Sequence, residues 1–479
     1  MSAKRLDAVV VGSGPNGLAA ALALARAGLT VEVFEGAPTP GGGCRTEELT
    51  LPGFRHDTCS TIQSMVSLSP FFREFDDVLT RHNVRLRTAD IALAHPLDGG
   101  RAALLTRDLD STARALGVDA TTYQQLLKPL LEHAPALADS ILTPLRRPPS
   151  APRTMARFVL RGLPSASRLA SHFETEGARA LIAGLCGHSM LPLERSLTSA
   201  FGLFLAVTAH SGGWPVIEGG SSQLVQALVG ELADLGVTIH VERSITQLSD
   251  LPDARAILFD TSAQAMVRIA GERLPFRYRA GVARFQRGPG VFKVDWALSQ
   301  PVPWRNDDCR RAGTVHIGGT FEEVARSESD VGHGRHAKRP FCIVVQASIA
   351  DPTRAPQGQH TLWAYCHVPN GSDVDMTSKI EDQLERFAPG FRDIVLGRAT
   401  TSNAQAERHN PNYLGGDITG GAATLRQTLF RPVIRWNPYR TGSPGLYLCS
   451  SSTPPGGGVH GMCGWGAART VLYDLRRRD

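Results

Sequence analysis

The chain opens with short apolar runs on either side of one Ala/Leu-rich stretch. Residues 7–12 form an apolar run that enters a glycine turn, which predicts a buried parallel strand. Residues 16–27 repeat their apolar positions at helical spacing and are stopped by Gly28, so they predict a helix. The apolar run at 30–35 predicts a second strand. This order indicates one β-α-β unit at the start of the sequence.

Further along, the hydrophobic pattern is mostly helical and then alternating. Between about residues 71 and 214 the apolar spacing is mostly helical. From about 290 to 423 apolar and polar residues alternate, which predicts an antiparallel sheet. The predicted helices of the middle region are 123–141, 154–160, 176–186 and 197–208. After that region we predict helices at 222–235 and 464–475, and strands at 237–241, 254–259 and 445–449.

A glycine-rich turn follows the first predicted strand. Gly12, Gly14 and Gly17 match the pattern G-x-G-x-x-G. In that pattern the first glycine permits a tight turn, the second lets backbone amides approach a pyrophosphate, and the third lets the helix pack on the sheet. Glu35 ends the second strand, where a carboxylate accepts hydrogen bonds from ribose hydroxyls and repels a 2′-phosphate. The turn therefore predicts a dinucleotide site that disfavours NADP; a purely structural glycine turn is the alternative.

Two further glycine-rich segments favour FAD, bound non-covalently, over NAD. Residues 40–46 come just after Glu35, where glycines let the chain run close over a pyrophosphate. Residues 450–461 lie between a predicted strand and helix, so that helix N-terminus could stabilise negative charge on a reduced flavin. An ordinary surface loop is the alternative for this last segment. The predicted cofactor-binding residues are Gly12, Ser13, Gly14, Pro15, Asn16, Gly17, Glu35, Gly36, Gly42, Gly43, Cys44, Arg45, Ile245, Ser451, Gly458, Val459 and His460.

These segments resemble the phytoene-desaturase-like branch of FAD-dependent oxidoreductases, which includes carotenoid desaturases, ketolases and cis–trans isomerases. The resemblance covers roughly half the chain. It is carried by residues 7–46, 51–57, the Gly219-Gly220 pair with its helix, 410–417 and 445–464. The resemblance implies a discontinuous FAD domain interleaved with a substrate domain, and an apolar, polyene-like or isoprenoid substrate.

The sequence departs from that family's pattern in two places. Gly43 occupies the position after the Gly-Gly pair where many members carry arginine, and Arg45 follows two residues later. Where the family has Thr-His-Pro-Gly, this chain has Thr453-Pro-Pro-Gly, preceded by three serines. The departures indicate a divergent subgroup, so the family's substrate does not transfer directly to this chain.

Together these features predict an α/β fold class. We expect a Rossmann-like FAD-binding domain built from three separate segments, 1–75, 215–265 and 430–479. A mostly helical region at 76–214 would form a substrate lid, and an α+β substrate domain with a sheet would occupy 266–429.

Candidate catalytic residues are few, because a flavin carries out hydride acceptance and the protein supplies positioning and an acid or base. His460 in the C-terminal glycine loop is the first candidate, and a purely backbone-bonding role is its alternative. Asp417 in Gly-Gly-Asp-Ile is the second, with a turn-stabilising role as the alternative. Tyr413, Arg431, Cys59 and His56 are weaker candidates.

Charge and cysteine content limit the expected partners. The formal net charge is +6, and the arginines that dominate it are scattered instead of forming a stripe, so we expect no nucleic-acid partner. Weak attraction to an anionic membrane is the alternative to a solvated arginine-rich surface. The eight cysteines show no C-x-x-C pair and no metal-ligand spacing, which favours reduced thiols, no metal and a cytoplasmic protein. No apolar run approaches the ~18 residues that span a bilayer, so membrane contact would be peripheral.

We therefore expect an FAD-dependent oxidoreductase that desaturates or isomerises an apolar small molecule. The alternatives are a flavin amine oxidase or dehydrogenase of a small polar metabolite, and a flavoprotein scaffold without turnover. A wide apolar cavity beside residues 197–205 would favour the first, and a small cavity lined by acids and aromatic residues would favour the amine substrate. None of the five lysines lies in a motif that places it beside a flavin. The oligomeric state is not predicted.

Overall fold

The computed structural model describes residues 5–144 and 148–477. Most of its strands belong to a five-stranded and a seven-stranded sheet. The strands are β1 (Leu6–Val11), β2 (Val31–Phe34), β3 (Thr46–Glu47), β4 (His56–Asp57), β5 (Leu86–Arg87), β6 (Ile91–Pro96), β7 (Ala102–Thr106), β8 (Val216–Ile217), β9 (Thr238–His240), β10 (Ala254–Phe259), β11 (Gly290–Leu298), β12 (Ala312–Ile317), β13 (Cys342–Val345), β14 (His360–Val368), β15 (Val395–Thr401) and β16 (Leu446–Leu448).

The helices surround both sheets and form most of the segment between them. They are α1 (Pro15–Arg26), α2 (Pro70–Glu74), α3 (Asp76–Arg81), α4 (Leu109–Ala115), α5 (Ala120–Leu131), α6 (Ala134–Ile141), α7 (Pro152–Gly162), α8 (Ala166–Ala170), α9 (Glu176–Gly187), α10 (Thr198–Gly212), α11 (Ser222–Asp234), α12 (Ala263–Ala270), α13 (Phe276–Ala283), α14 (Phe321–Gly332), α15 (Ala347–Ala350), α16 (Thr377–Phe387), α17 (Asn403–His409), α18 (Leu425–Leu429) and α19 (Met462–Arg476).

The five-stranded sheet is parallel and has the order β16-β10-β1-β2-β9. The central strand β1 contains the continuous apolar run 8–11 because helices cover both faces of the sheet. Val10 and its partners Val33 and Leu258 face the core that contains α1, α11 and α19, whereas Val9 and Val11 face α12 and α13. The expected α/β fold with a Rossmann-like sheet is confirmed.

The seven-stranded sheet has the order β15-β11-β14-β13-β12-β6-β7 and is mixed. The sequence predicts an antiparallel sheet within 290–423, but β12 pairs in parallel with β6, which comes from the region predicted to be a helical lid. Strand β6 reads Ile-Ala-Leu-Ala-His-Pro, a short apolar run that periodicity alone does not assign to helix or strand. The helical region therefore contributes two strands, β6 and β7, to the sheet of the predicted substrate domain.

The helix predicted at 123–141 is broken in two. Helix α5 ends at Leu131 and α6 begins at Ala134, with Pro135 in the first turn of the second helix. Proline has no N–H to continue a helical ladder and is tolerated at the first turn, so it starts a new helix here. The remaining predicted helices and strands of the N-terminal unit are present within a few residues of their expected ends.

The structure also bears on membrane contact. Among residues 5–144 and 148–477, no helix combines the length and the apolar character needed to cross a bilayer.

Candidate functional site

A cavity of about 2070 Å³ runs from the glycine turn to the helical region. Pockets for one drug-sized ligand measure roughly 300–1,000 Å³, so this cavity has room for an extended cofactor together with a substrate. One end is lined by the loops at the carboxyl edge of the parallel sheet, which is where ligands bind in open α/β sheets. The other end is lined by α6, α7 and α10 and by one face of the mixed sheet.

At the first end, the glycine turn is packed tightly. The Gly12 amide donates to the Phe34 carbonyl at 2.8 Å, which closes the turn against β2. A Cβ atom on Gly17 would lie 2.1 Å from the Gly12 carbonyl oxygen and 2.9 Å from a carboxylate oxygen of Asp260. Only glycine fits at position 17, because the helix must start directly against the turn. The N-terminus of α1 therefore borders the cavity at Gly14, Pro15 and Asn16.

The Glu35 carboxylate is held in place by the turn. It accepts hydrogen bonds from the backbone amide and the hydroxyl of Ser13 at 2.9 and 2.6 Å, and from the Ala37 amide at 2.8 Å. Arg45 lies 3.8 Å away and donates to the Thr39 carbonyl. The carboxylate is thus oriented towards the cavity before any ligand arrives, as ribose recognition requires.

Two more predicted segments close over the same end. The Gly41 amide donates to the Ser13 carbonyl at 2.9 Å, which ties the second glycine segment to the first. The C-terminal glycine loop, residues 450–461, comes from the other end of the sequence and also lines the cavity. The predicted cofactor residues that line the cavity are Gly12, Gly14, Pro15, Asn16, Glu35, Gly36, Gly42, Gly43, Arg45, Ile245, Ser451, Gly458, Val459 and His460.

Three predicted cofactor residues lie behind the lining instead. Ser13 is fully buried and bonds to Glu35, and Gly17 packs α1 against the turn. Cys44 is fully buried in the core next to the turn, and burial raises the pKa of its thiol. The Cys44 side chain therefore packs in the core, and its contact with a cofactor stays a prediction.

His460 lies against the cavity, but its ring serves the loop. Its Nδ1 accepts from the Met462 amide at 3.1 Å, and its Nε2 faces the Gly456 carbonyl at 3.2 Å. Burial lowers the pKa of this imidazole to about 4, so the ring is neutral at neutral pH. Both nitrogens are therefore engaged by the loop, as the backbone-bonding alternative expects, and the catalytic role of His460 stays a prediction.

Asp417 is fully buried and lies outside the cavity lining. Its carboxylate accepts from the Gly288 amide at 2.8 Å and from the amide and hydroxyl of Thr419 at 2.9 and 2.7 Å. These bonds stabilise a turn, as the structural alternative expects, and the role of Asp417 as a catalytic base stays a prediction. The weaker candidates Tyr413, Arg431 and Cys59 do line the cavity, whereas His56 is buried beside Asp295.

Sequence reasoning gave no role to Asp260, which follows β10. Its carboxylate accepts from the Gly17 amide at 2.8 Å and lines the cavity next to Gly14. Burial and the nearby charge of Glu35 raise the pKa of this carboxyl well above its ordinary value. The signal in the sequence is an acid directly after a strand that pairs with β1, since that strand ends beside the glycine turn.

A buried lysine behind the cavity wall was also not predicted from the sequence. Lys293 on β11 is buried and donates to both oxygens of Asp295 at 2.6 Å and to the Asp57 carbonyl at 3.0 Å. Its ammonium lies 5.4 Å from the ring centroid of Trp363, which lines the cavity. The alternation Lys-Val-Asp on one face of a strand was the available signal, but only the fold brings it behind the cavity wall.

The second end of the cavity is mainly apolar. Helix α10 presents Phe201, Phe204 and Leu205, and Met155 and Phe158 of α7 also line this end. Among the described residues of this end, contributed by α6, α7, α10 and the mixed sheet, the lining includes no Asp, Glu, Lys or Arg. We call this end the apolar chamber. The residues of its wall include a few polar ones, among them His188, Ser189 and Thr314.

One group of side chains outside the cavity has metal-ligand types. His82, Glu231 and Asp234 place ligand atoms within 4.8 Å of one another. The Glu231 carboxylate already accepts from the guanidinium groups of Arg26 and Arg81, which neutralise it. The arrangement is that of an ion-pair cluster at the surface of α11.

Comparison with known proteins agrees with this geometry. Residues 10–75 match the model of the NAD(P)-binding Rossmann-like domain family. The Mus musculus protein named pyridine nucleotide-disulfide oxidoreductase domain-containing protein 2 is 26% identical, and the alignment covers 98% of this chain and 94% of that one. A phytoene dehydrogenase of Streptomyces griseus is 24% identical, with 94% and 92% covered. A solved triple mutant of putrescine oxidase superposes with a TM-score of 0.64 at 17% identity and covers 99% of both chains.

These similarities extend over nearly the whole chain and agree on a class. The fold, the glycine turn and the full-length relatives support an oxidoreductase that uses a flavin or another nucleotide cofactor. The relatives differ in the substrates that their names indicate, so the class is common to them and the reaction is not.

Proposed function

We propose that the protein is an FAD-dependent oxidoreductase that dehydrogenates or isomerises an apolar, isoprenoid- or polyene-like substrate. The observation that carries the proposal is the single cavity that joins a dinucleotide cradle to the apolar chamber. A phytoene dehydrogenase among the relatives is consistent with such a substrate.

The cradle fits FAD through three groups of residues. Gly12, Gly14 and the N-terminus of α1 would hold the pyrophosphate, and Glu35 would accept from the adenosine ribose. The loop containing Gly458 and Val459 would face the flavin ring at the junction with the chamber. When bound there, FAD would supply hydride acceptance at N5.

The residues of this chain would bind, orient and exclude water. Phe201, Phe204 and Leu205 offer an aromatic and aliphatic wall for a long apolar molecule. Because no charged side chain lines the described part of the chamber, a substrate without charge is favoured there. Exclusion of water from these walls would protect the reduced cofactor from side reactions.

Helix α18 offers a route by which an apolar substrate could enter. Leu425 and Leu429 line the cavity and are about 40% exposed, and Trp436 beyond them is 77% exposed. Arg426 and Arg435 stand beside these residues, which suits the anionic surface of a bilayer. We include peripheral membrane contact at this edge in the proposal. Sedimentation with anionic vesicles, but not with neutral ones, and its loss in Trp436→Ser are the expected results.

An amine substrate is the second candidate. The structural likeness to putrescine oxidase and the buried Lys293 behind the chamber wall both favour it. The chamber favours it less, because an ammonium group would find no carboxylate among the described residues of that end. A flavoprotein scaffold without turnover is disfavoured by the size of the chamber.

The test begins with the cofactor of the purified protein. Heat-released flavin is expected to be FAD, in about a one-to-one ratio to protein, and to leave without covalent attachment. Anaerobic addition of a C40 polyene or a C20 isoprenoid should then bleach the flavin absorption band. Bleaching by putrescine or cyclohexylamine instead would establish the amine candidate. Absence of flavin after purification and after reconstitution would overturn the whole proposal.

A further inference from the structure

A group of neutral histidines lies at the far wall of the apolar chamber. His188 follows α9 and lines the chamber, and its Nε2 lies 3.0 Å from the Nε2 of His316 on β12. His316 and the neighbouring His95 on β6 are fully buried. Gly184 of α9 makes room for these rings, since a Cβ there would lie 2.6 Å from His316 Nδ1 and 2.8 Å from His95 Nδ1.

These rings are uncharged at neutral pH. Burial lowers the pKa of His188 to about 3, with a smaller contribution from His367, and lowers the pKa of His95 to about 4. Burial and the two neighbouring histidines hold the pKa of His316 well below its ordinary value. The nearby carboxylate of Glu328 is engaged with His367 at 2.8 Å and does not line the cavity.

The hydrogen-bond pattern selects the tautomers. The Nδ1 of His316 is buried and has no partner within the described protein. A buried N–H without a partner is rarer than an unpaired acceptor, so we place the His316 proton on Nε2, where it donates to Nε2 of His188. His188 must then carry its own proton on Nδ1. The Nδ1 of His188 makes no hydrogen bond with any described residue, and it is not buried within the protein. Because His188 lines the chamber, this nitrogen offers an N–H to the chamber.

The Nδ1 of His188 is a polar atom of the chamber wall that the protein leaves without a partner. The side-chain oxygens of the neighbouring Ser189 and Thr314 also lack partners in the described protein, but both atoms are buried behind the wall and do not reach the chamber. Thr314 lies two residues before His316 on β12, so both project from the same face of the sheet. An N–H without a partner in an apolar wall is costly, which indicates a polar ligand for the Nδ1–H of His188.

We propose that His188 binds a neutral oxygen function, a hydroxyl or a carbonyl, on an otherwise apolar substrate. The Nδ1–H of His188 donates to that oxygen, and His316 fixes the orientation of the ring. We call His188, held by His316, the oxygen site. This inference rests on the proposed function and narrows its substrate class from a hydrocarbon to an apolar alcohol, aldehyde or ketone. A carboxylate is excluded from the oxygen site, because no positive charge compensates its burial there.

The test compares ligands that differ only at the oxygen. The flavin-loaded protein is titrated with geranylgeraniol, with the C20 hydrocarbon that lacks its hydroxyl, and with the corresponding C20 acid. Tryptophan fluorescence reports binding, since the Trp214 ring lies 6.1 Å from that of His188. The alcohol is expected to bind about tenfold more tightly than the hydrocarbon, and the acid no more tightly than the hydrocarbon.

Variants assign the preference to the oxygen site. His188→Phe should remove the preference for the alcohol while changing hydrocarbon affinity by less than about twofold. His188→Asn keeps a donor and should retain most of the preference, which also covers the case in which the Phe variant fails to fold. His172→Phe, at an exposed histidine, is the matched control and should bind like the wild type.

The outcomes separate this inference from the proposed function. If the hydrocarbon and the alcohol bind equally, the oxygen site is refuted and the apolar substrate class stands. The same conclusion follows if His188→Phe keeps the preference. If neither ligand binds a protein that carries FAD, the apolar substrate class and the oxygen site both fall.

Discussion

Gly17 shows how a single residue controls the cofactor end of the cavity. A methyl group at this position would lie 2.1 Å from the Gly12 carbonyl oxygen, a backbone atom that is held by the turn. We expect Gly17→Ala to displace the start of α1 and to lower flavin content to less than about a tenth of the wild-type value, since the helix N-terminus would no longer face the pyrophosphate. The ratio of released flavin to protein measures the effect.

Gly177 provides the matched control for that substitution. It also lies in a helix, α9, but a Cβ there would meet only the Ala103 Cβ at 3.7 Å, an ordinary contact. Gly177→Ala should leave flavin content unchanged and slightly stabilise the helix. Equal flavin content in both variants would contradict the role assigned to Gly17.

Asp260 leads to a prediction on pH dependence. Its pKa is raised in the folded protein, whereas an unfolded chain titrates near its ordinary value of about 3.9. Above that pH the unfolded state releases its proton and the folded state keeps it, so the folded state loses stability as pH rises towards the raised pKa. Asp260→Asn retains an acceptor for the Gly17 amide and does not ionise. We expect it to be more stable than the wild type at pH 7, with a higher urea midpoint.

The difference between Asp260→Asn and the wild type should shrink on acidification and vanish near pH 4. Urea midpoints measured at several pH values test this trend. Asp253→Asn, at an exposed carboxylate, should show no such trend. If the stability difference between Asp260→Asn and the wild type grew towards low pH instead, the raised pKa of Asp260 would be refuted.

At the scale of elements, α10 is predicted to set the length of substrate that the chamber accepts. Leu205 lines the chamber from this helix, so Leu205→Trp fills space that a long substrate needs. We expect kcat/KM for a C20 or C40 substrate to fall at least about tenfold, while flavin content stays the same because the cradle is built from other elements. Steady-state rates over a series of chain lengths measure this effect.

Leu160→Trp is the control for the α10 substitution. Leu160 is 73% exposed on α7, so a larger side chain there meets no wall of the chamber. Its kinetics should match those of the wild type at every chain length. If Leu205→Trp also left long substrates unaffected, α10 would not form part of the substrate path.

The elements differ in how far the sequence could predict them. The β1-α1-β2 unit was predictable because its residues are neighbours in sequence and its turn has a specific glycine spacing. Strand β6 was not, because its partner β12 lies more than two hundred residues away and its run of four apolar residues, 91–94, fits a helix equally well. His188 and His316 come together only through the pairing of β6 with β12 and the packing of α9, so no local sequence motif predicts the oxygen site.

At the scale of the whole molecule, the parallel sheet is assembled from distant segments. Strands β1, β10 and β16 are adjacent, although the chain builds the mixed sheet and the helical region between them. Two glycine loops far apart in sequence therefore meet at one cavity. Because the segments of the two sheets alternate along the chain, polar groups from both sides are buried together at the junction between the parallel sheet and the mixed sheet.

That junction contains a buried ion-pair network. Arg354 is fully buried and donates to Asp57 at 2.9 Å, to Asp351 at 2.8 Å and to the Ile217 carbonyl at 3.1 Å. Asp57 also accepts from the amide and hydroxyl of Ser221, which precedes α11. The network thus joins the turn before β14 to β4, β8 and the start of α11, and it fixes the mixed sheet against the cofactor side.

Arg354→Met should therefore weaken the molecule as a whole. It leaves two buried carboxylates without their cation, which costs about 3–5 kcal/mol of the free energy of unfolding. Urea denaturation followed by circular dichroism and by flavin fluorescence measures this loss. Arg311→Met is the control, since its pairs with Asp90 and Asp308 are exposed and should contribute less than about 1 kcal/mol. If Arg354→Met and Arg311→Met lower the free energy of unfolding by the same amount, apolar packing stabilises the junction. The ion-pair network then only fixes the orientation of the mixed sheet relative to the cofactor side.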